Sequence, residues 1–364
     1  MALSTLGNQV DQARIFKGAR EKPFLAPRGV FVTKNILFVA DTGQNRVFIW
    51  PEMPATEYAE PAVILGQLAV ADFGRNTDGV VTASSLQYPS GLWSDGHKLI
   101  VADAWNHRVL IWHTLPTTNA QPADVVIGQP GFTTNQPNVQ GIGAAPTAQT
   151  LNWPYGVFSD GQHLWIADTG NRRILFYHTI PTANYVAADK VIGKPGFTSR
   201  DYANHEPLWP YSVKVNARGA MAVADTQFYR TLLWHDYRQA FNNPAEVIIG
   251  QPDFDSCGQN QYRLAPEANT LNWTYDACFY KNGLLINDTG NSRILVFKDT
   301  PRHNNAPADA LIGRPDFNTG SEYQETMMGT DKALYWPFSI ITYKNQLVIA
   351  DTGNHRLVIC RLKA

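Results

Sequence analysis

The chain has 364 residues, of which 44% are hydrophobic and 12% aromatic, so it is long enough to bury a large core. Its 30 lysines and arginines balance 31 aspartates and glutamates. This balance argues against a dedicated nucleic-acid binder, although it is compatible with a local basic patch, and nucleic acid is not an expected partner. No run approaches about 18 uninterrupted apolar residues, and the first residues lack the apolar core of a secretion signal. We expect no membrane span and a cytoplasmic location, or a secreted or periplasmic one if an export signal has been removed.

The cysteine pattern gives no sign of a covalent scaffold. There are three cysteines, an odd number, and no C-x-x-C pair, which argues against a disulfide framework or a structural zinc site. Pairing between Cys257 and Cys278 stays open from the sequence.

One eleven-residue motif recurs six times along the chain. Its copies are ADTGQNRVFIW from Ala40, ADAWNHRVLIW from Ala102, ADTGNRRILFY from Ala167, ADTQFYRTLLW from Ala224, NDTGNSRILVF from Asn287 and ADTGNHRLVIC from Ala350. The motif aspartates are 57 to 65 residues apart. A period of this length over the whole chain predicts a repeat architecture.

Each copy predicts a β-hairpin. In the third copy the strand-like runs LWIAD and ILFY flank the turn TGNR, where Gly170 suits a tight turn. The motif aspartate ends the first strand and an arginine begins the second, which predicts a bidentate ion pair across the turn. The six predicted pairs are Asp41–Arg46, Asp103–Arg108, Asp168–Arg173, Asp225–Arg230, Asp288–Arg293 and Asp351–Arg356. Because the pair is the same in every repeat, we expect it to be structural rather than catalytic or metal-binding.

Two further signatures complete each repeat. A strand that follows a proline precedes each hairpin, as in LQYPSGLW from Leu86 and LNWPYGVF from Leu151. A strand of the VVIGQPGF type follows five of the hairpins, with copies from Val63, Val125, Lys190, Glu246 and Ala310. One repeat is therefore predicted to be four antiparallel strands.

The missing sixth copy of the last strand is predicted at the N-terminus. Residues 4–9, STLGNQ, carry the same aliphatic-Gly-polar-Gln pattern as VILGQ, and the chain ends just after a third strand. An N-terminal strand that completes the last blade would close the array into a ring without long exposed edges. The sequence thus predicts an all-β fold, a six-bladed β-propeller of four-stranded blades, as a single domain over residues 1–364.

The repeat resembles the NHL repeat over essentially the whole chain. The resemblance rests on the D-T-G-N-x-R turn and on the literal Asn-His-Arg of residues 106–108 and 354–356. It implies a six-bladed propeller that acts as a protein-interaction or RNA-binding platform. Related six-bladed propellers include the lyase that cleaves peptidyl-hydroxyglycine and metal-bearing lactonases, but their ligands match no motif position of this chain.

The loops that join the fourth strand of one blade to the first strand of the next are long, roughly 15 to 23 residues, and are the predicted binding face. The candidate ligand-binding residues follow the proline position of each repeat: Arg28, Ser90, Tyr155, Tyr211, Tyr275 and Phe338. Their four aromatic rings form either an aromatic cup at the channel mouth or a plug of the channel. The preceding residues, Tyr88, Trp153, Trp209, Trp273 and Trp336, are predicted to pack between blades.

Asp276 departs from the repeat at a position where the other blades carry glycine or serine. A carboxylate in a crowded place needs a partner, so we expect Asp276 to contact the functional ligand or ion, with a raised pKa if it lacks a charged partner. The alternative is that it caps backbone N–H groups of its own loop. Asp276 and Tyr211 are the weak catalytic candidates.

The sequence supports a metal site less well than a ligand-binding face. His113, His178 and His235 occupy equivalent positions just after the third strand, and their predicted separation is too large for one metal ion. His205, Glu206 and Asp276 are the candidate ligands of a divalent metal ion at the channel mouth.

Two functions from different classes therefore remain. The first is a binding propeller whose long-loop face captures a small molecule, peptide or protein. The second is a metal-assisted lyase or hydrolase with its site at the channel mouth.

Overall fold

A computed structural model describes residues 6–199, 208–320 and 333–363. Its 24 strands are β1 Val10–Phe16, β2 Gly29–Thr33, β3 Ile36–Asp41, β4 Arg46–Trp50, β5 Val63–Leu65, β6 Pro89–Ser94, β7 Leu99–Asp103, β8 Arg108–Trp112, β9 Val125–Ile127, β10 Pro154–Ser159, β11 Leu164–Asp168, β12 Arg173–Tyr177, β13 Lys190–Ile192, β14 Pro210–Val215, β15 Met221–Asp225, β16 Arg230–Trp234, β17 Val247–Ile249, β18 Thr274–Tyr280, β19 Gly283–Asp288, β20 Arg293–Phe297, β21 Ala310–Ile312, β22 Ser339–Tyr343, β23 Gln346–Asp351 and β24 Arg356–Leu362.

The other regular elements of the described ranges are short 3-10 helices, most of them in the motif turns. They span Thr42–Gln44, Arg75–Asp78, Ala104–Asn106, Thr169–Asn171, Thr226–Phe228, Tyr237–Phe241, Gln259–Tyr262, Thr289–Asn291 and Thr352–Asn354. None of the helices described is long and apolar enough to cross a membrane.

The strands form six four-stranded sheets. Five sheets take consecutive strands, β2 to β5, β6 to β9, β10 to β13, β14 to β17 and β18 to β21, and the sixth has the order β1-β24-β23-β22. The fold class is the six-bladed β-propeller, as the repeat predicts.

Two compact units can be distinguished along the chain. The first unit spans Lys17–Tyr211, and the second combines Met1–Phe16 with Ser212–Ala364. In the first unit, Phe38 and Val47 of one sheet share an apolar cluster with Leu99 and Val101 of the next. Strands at these positions are buried on both faces, which explains why they are near-continuous apolar runs rather than alternating ones.

An N-terminal strand completes the last sheet, as expected, but a different segment provides it. Strand β1 pairs antiparallel with β24, from Val10 opposite Leu362 to Phe16 opposite Leu357. The sequence pattern placed this strand at residues 4–9, of which residues 4 and 5 lie outside the described ranges. Gly7 has φ +80°, and Gly66, which follows strand β5, has φ +84°. The backbone at Gly7 thus resembles that of the other copies, but the segment that pairs with β24 is the following one, β1.

The signal for the correct segment is a second glycine. Phe16 is fully buried and pairs with Leu357, as Leu65 pairs with Val47, and Gly18 with φ +86° comes two residues later, one position beyond the place of Gly66. The segment lacks the Gln, Lys or Arg that directly follows the glycine in the other five copies, so the sequence pattern did not identify it.

The cysteines are free. Cys257 is exposed, Cys278 is buried, and neither forms a disulfide.

Candidate functional site

The six predicted ion pairs are all present and buried. In each, the arginine Nε donates to Oδ2 of the aspartate over 2.7 to 2.8 Å. The predicted bidentate geometry is wrong, because the terminal guanidinium nitrogens donate to backbone carbonyls instead. Arg173, for example, reaches Thr147 and Thr150 with Nη2 and Phe197 with Nη1.

The second carboxylate oxygen binds the inter-blade loop. Oδ1 accepts a backbone N–H at 2.7 Å in five repeats, from Leu25, Gln87, Asn152, Asn272 and Tyr335. One ion pair therefore fixes the loops before and after its own hairpin. Burial raises the pKa of Asp41 to about 6 and also raises the pKa of Asp168, although the adjacent guanidinium acts in the opposite direction.

Loops and motif turns meet at one end of every sheet, which we call the motif end. In an antiparallel sheet the first and third strands begin where the second and fourth strands end, so the inter-blade loop and the motif turn share that end. The candidate ligand-binding residues at the start of each first strand lie there as well.

The aromatic residues that precede the proline position have an unusual backbone. Their φ values are positive: Tyr88 57°, Trp153 48°, Trp273 46° and Trp336 45°. Trp153, Trp209 and Trp273 contact His107, Arg172 and Tyr229 in the motif turn of the preceding blade, in line with the expected packing between blades. Trp153, Trp273 and Trp336 are nevertheless 39%, 37% and 42% exposed. A left-handed φ is costly for a bulky side chain, and the exposed part of each indole gains nothing from burial. Burial therefore accounts for only part of each ring.

A side chain in the preceding motif turn holds this backbone in place. Asn45 Oδ1 accepts the N–H of Tyr88 at 3.0 Å, and Ser292 Oγ accepts that of Trp336 at 3.1 Å. In the second motif His107 has this role, with Nδ1 accepting the N–H of Trp153 at 3.0 Å. This bond requires a neutral imidazole, and burial lowers the pKa of His107 to about 4.

We expect the stability of the protein to fall in acid because of His107. The folded-state pKa lies below the ordinary value of 6.5, so the unfolded chain binds the proton first as the pH falls. The stability that the neutral ring provides is present above about pH 6.5 and is lost towards pH 4, a loss of about 3 kcal/mol at most.

The matched variant is His107→Asn, since asparagine has this role at position 45. Urea unfolding from pH 4.5 to 8 should show a flatter pH dependence for the variant than for the wild type. Equal slopes would show that His107 does not titrate in this window.

Four rings form a contiguous aromatic cluster in the first unit, which we define as Tyr88, Trp105, Tyr155 and Tyr211. Tyr88 stacks on Trp105 and Tyr155 stacks on Tyr211, each with ring centroids 4.6 Å apart. Tyr88 meets Tyr155 edge to face at 6.2 Å. The indole N–H of Trp105 donates to the Tyr155 hydroxyl at 3.3 Å, and burial raises the pKa of this hydroxyl.

The remaining candidates of the first unit adjoin this cluster. The Arg28 guanidinium lies 5.1 Å from the Tyr88 ring centroid. Ser90 is buried, and its hydroxyl donates to the Tyr88 carbonyl at 3.3 Å. The structure thus brings Arg28, Ser90, Tyr155 and Tyr211 to the motif end, with the two tyrosines stacked on each other rather than lining an open cup separately.

The candidates of the second unit are Tyr275, Phe338 and Asp276. Tyr275 and Phe338 are in contact, with centroids 4.1 Å apart. The Asp276 carboxylate is buried, with Lys214 Nζ at 3.2 Å from Oδ1. Ser339 Oγ and the N–H of Ile340 donate to its Oδ2 at 2.9 and 3.1 Å. Asp276 thus has a charged partner and bridges three first strands, and its contact with a ligand stays a prediction.

The candidate metal ligands receive no support from geometry. His205 and Glu206 lie outside the described residues. Within the described ranges, no three His, Cys, Asp or Glu side chains are grouped so that they could hold a metal ion. His235 Nδ1 contacts Glu246 Oε2 at 2.6 Å. This single pair lies between the end of β16 and the start of β17, at the end of the sheet opposite the motif end.

Sequence reasoning missed Trp105 and Arg75. Trp105 replaces the glycine of the motif turn in the second copy, DAWNHR, so the signal was a departure from the consensus. Arg75 lies in an inter-blade loop, 5.7 Å from the Trp105 ring, and carries no repeat signal.

Comparisons with known proteins support the fold. No protein-family model and no curated protein matches the chain. A solved structure of streptogramin B lyase is similar at 12% identity with a TM-score of 0.50, covering 96% of this chain and 97% of that chain. A catalytically inactive virginiamycin B lyase from Staphylococcus aureus with quinupristin is similar at 12% identity with a TM-score of 0.45, covering 97% and 99%. At this identity the likeness supports the β-propeller fold alone.

Proposed function

We propose that the protein is a binding β-propeller of the NHL-repeat type that holds a small molecule, a peptide or a protein segment at the motif end. The observation that carries the proposal is the aromatic surface of the first unit. There Trp153, which is 39% exposed with φ +48°, precedes Tyr155 of the aromatic cluster by two residues in the chain. Partly exposed aromatic side chains held on a fixed backbone are typical of binding surfaces.

Folding stability alone does not favour an aromatic residue at the position of Trp153. Blade one has Ala26 at the same place with φ 48°, so the backbone does not require an aromatic ring. A bulky residue at positive φ costs of the order of 1 kcal/mol or more. Burial of the exposed ring face against a ligand would offset that cost.

Each candidate residue has a proposed role. Tyr155 and Tyr211 present the edges of a rigid stack, and Arg28 supplies a cation beside Tyr88. Ser90 holds the backbone of Tyr88 rather than contacting the ligand directly. In the second unit, taken by itself, Tyr275, Phe338 and Asp276 are proposed as ligand-contact residues.

Trp153→Ala provides the test. Alanine is compatible with this backbone, as Ala26 shows, so the variant should fold. Peptides selected from a random display library and compounds selected by thermal shift on the wild type should lose at least about tenfold in affinity for the variant. Leu264→Ala, which removes a fully exposed apolar side chain in the second unit, is the control and should change nothing. Selected ligands that bind all three proteins equally would contradict the proposal.

The alternative is a metal-assisted lyase or hydrolase. Both similar structures are named as lyases, but at 12% identity their chemistry does not transfer. Within the described residues no three His, Cys, Asp or Glu side chains are grouped for a metal ion, and the candidate ligands His205 and Glu206 lie outside those residues. Elemental analysis of the dialysed protein decides the matter, since a stoichiometric transition metal would reverse the order of the two functions.

A further inference from the structure

Four cations at the motif end of the first unit lie over aromatic rings. Lys22 Nζ is 3.8 Å from the Phe73 ring, and Arg172 is 3.8 Å from the Trp209 ring. The Arg28–Tyr88 and Arg75–Trp105 pairs have the distances given above. The rings are not sealed under the cations, since Phe73 is 56% exposed.

Topology places these pairs on one end of their sheets. Lys22, Phe73 and Arg75 belong to inter-blade loops, Arg28 lies at the start of a first strand, and Arg172 belongs to a motif turn. The adjoining loop, residues 129–153, has no charged residue. The charged groups of this surface therefore come from the other inter-blade loops, which carry both cations and acids.

The acids of the inter-blade loops that carry these pairs are Glu21, Asp72, Asp78, Asp201 and Glu206, of which Asp201 and Glu206 lie outside the described residues. Asp72 Oδ2 accepts the N–H of Ala69 at 2.9 Å, and the Asp78 carboxylate lies against Gly74. Within the described residues, no carboxylate lies within salt-bridge distance of Lys22 or Arg75.

Cations over rings favour a particular partner. Arg75 lies at an exposed position, and the N–H groups of a guanidinium match a carboxylate in bidentate geometry. The neighbouring exposed rings provide apolar contact area for the side chains next to the carboxylate.

We propose that the ligand of the first unit is an acidic peptide segment whose aspartates or glutamates are interspersed with apolar side chains. This inference rests on the proposed function and names its ligand class. The carboxylates bind Lys22 and Arg75, and the apolar side chains contact Phe73 and Trp153.

Single-stranded nucleic acid fits less well, although it too combines anions with planar groups. Its bases bind by stacking on open aromatic faces. In the aromatic cluster the two stacks are already closed at 4.6 Å, so no ring pair has a gap for a base. The net charge of -1 also provides little long-range attraction for a polyanion.

Binding of three defined probes tests the inference. They are a fluorescent 12-residue peptide of alternating Glu and Leu or Trp, the same peptide with Gln for Glu, and a 12-nucleotide oligothymidine. We expect the acidic peptide to bind in a salt-dependent way, at least about tenfold more tightly than the other two. Arg75→Gln, at an exposed position, should weaken it about fivefold or more. The control Arg238→Gln removes an exposed cation of the second unit and should have no effect.

The outcomes separate this inference from the proposed function. Equal binding of the Gln peptide, tighter binding of the oligonucleotide, or binding of no probe would each overturn the acidic-peptide inference. The proposed function is decided independently by the library ligands and Trp153→Ala. If ligands lose affinity for the Trp153→Ala variant but bind the Arg75→Gln variant normally, the binding function is supported and the acidic-peptide inference is wrong.

Discussion

Replacing Arg173 by leucine should remove a large part of the folding stability. Asp168 is fully buried, and the variant leaves its carboxylate without a cation. Breaking a buried pair on one side costs about 3–5 kcal/mol. The carbonyls of Thr147, Thr150 and Phe197 lose their donors as well, and an unsatisfied buried carbonyl costs about 1–3 kcal/mol. Against a typical stability of about 5–15 kcal/mol, a loss of this size leaves little margin.

Urea unfolding measures this loss. The control is Arg361→Leu, which breaks the exposed pair with Asp11 on the strand β1 and should change the midpoint little. The double variant Asp168→Leu with Arg173→Leu should recover part of the loss, because no unpaired charge remains buried. If Arg173→Leu matched the wild type, the ion pairs would not have the structural role assigned to them.

The pH dependence of the variant gives an independent check. Burial already raises the pKa of Asp168, and removal of the guanidinium raises it further. A carboxyl with a raised folded-state pKa favours folding below its unfolded pKa, and this contribution is lost as the pH rises through the folded pKa. The stability difference between Arg173→Leu and the wild type should therefore be smaller at pH 4 than at pH 8.

The repeat made the fold predictable, because six copies of one hairpin specify the strands, their order and the ion pairs. The repeat does not predict which individual atoms of each ion pair form the hydrogen bonds. The pattern of Asp41 and Arg46 shows that the two side chains meet, but only the positions of the loop carbonyls decide how many guanidinium nitrogens are left for the carboxylate.

The candidate site was predictable in part. The position after the proline located Tyr155 and Tyr211, since repeats serve as an internal alignment. Trp105 and Arg75 could not be found in this way, because contacts between neighbouring loops depend on loop conformation, which has no period in the sequence.

Glycine positions show why Asp276 was difficult to interpret. A Cβ on Gly29 would lie 1.8 Å from the Ser90 carbonyl oxygen, and one on Gly91 would lie 2.7 Å from that of Tyr155. In the first unit these glycines permit first strands to approach backbone to backbone. At Asp276 the carboxylate bridges the neighbouring strands instead, so stability does not always favour glycine here.

Replacing Asp276 by glycine is therefore expected to destabilise the protein by about 3 kcal/mol, the lower range for one broken buried ion pair. Lys214, whose side chain is only 16% exposed, would keep its charge without the carboxylate. The Ser339 hydroxyl and the N–H of Ile340 would lose their acceptor as well. The thermal midpoint of the variant, compared with that of the wild type, measures this effect.

Two variants separate this structural role from ligand contact. Adding Lys214→Met to Asp276→Gly should recover part of the lost stability, because the unpaired ammonium is removed together with its carboxylate. Ligand binding, measured with library ligands on the folded fraction, should persist in both variants if Asp276 only bridges Lys214 to Ser339 and Ile340. If Asp276→Gly instead keeps the thermal midpoint and loses binding, the carboxylate contacts the ligand, and its protein partners are exchanged for that ligand on binding.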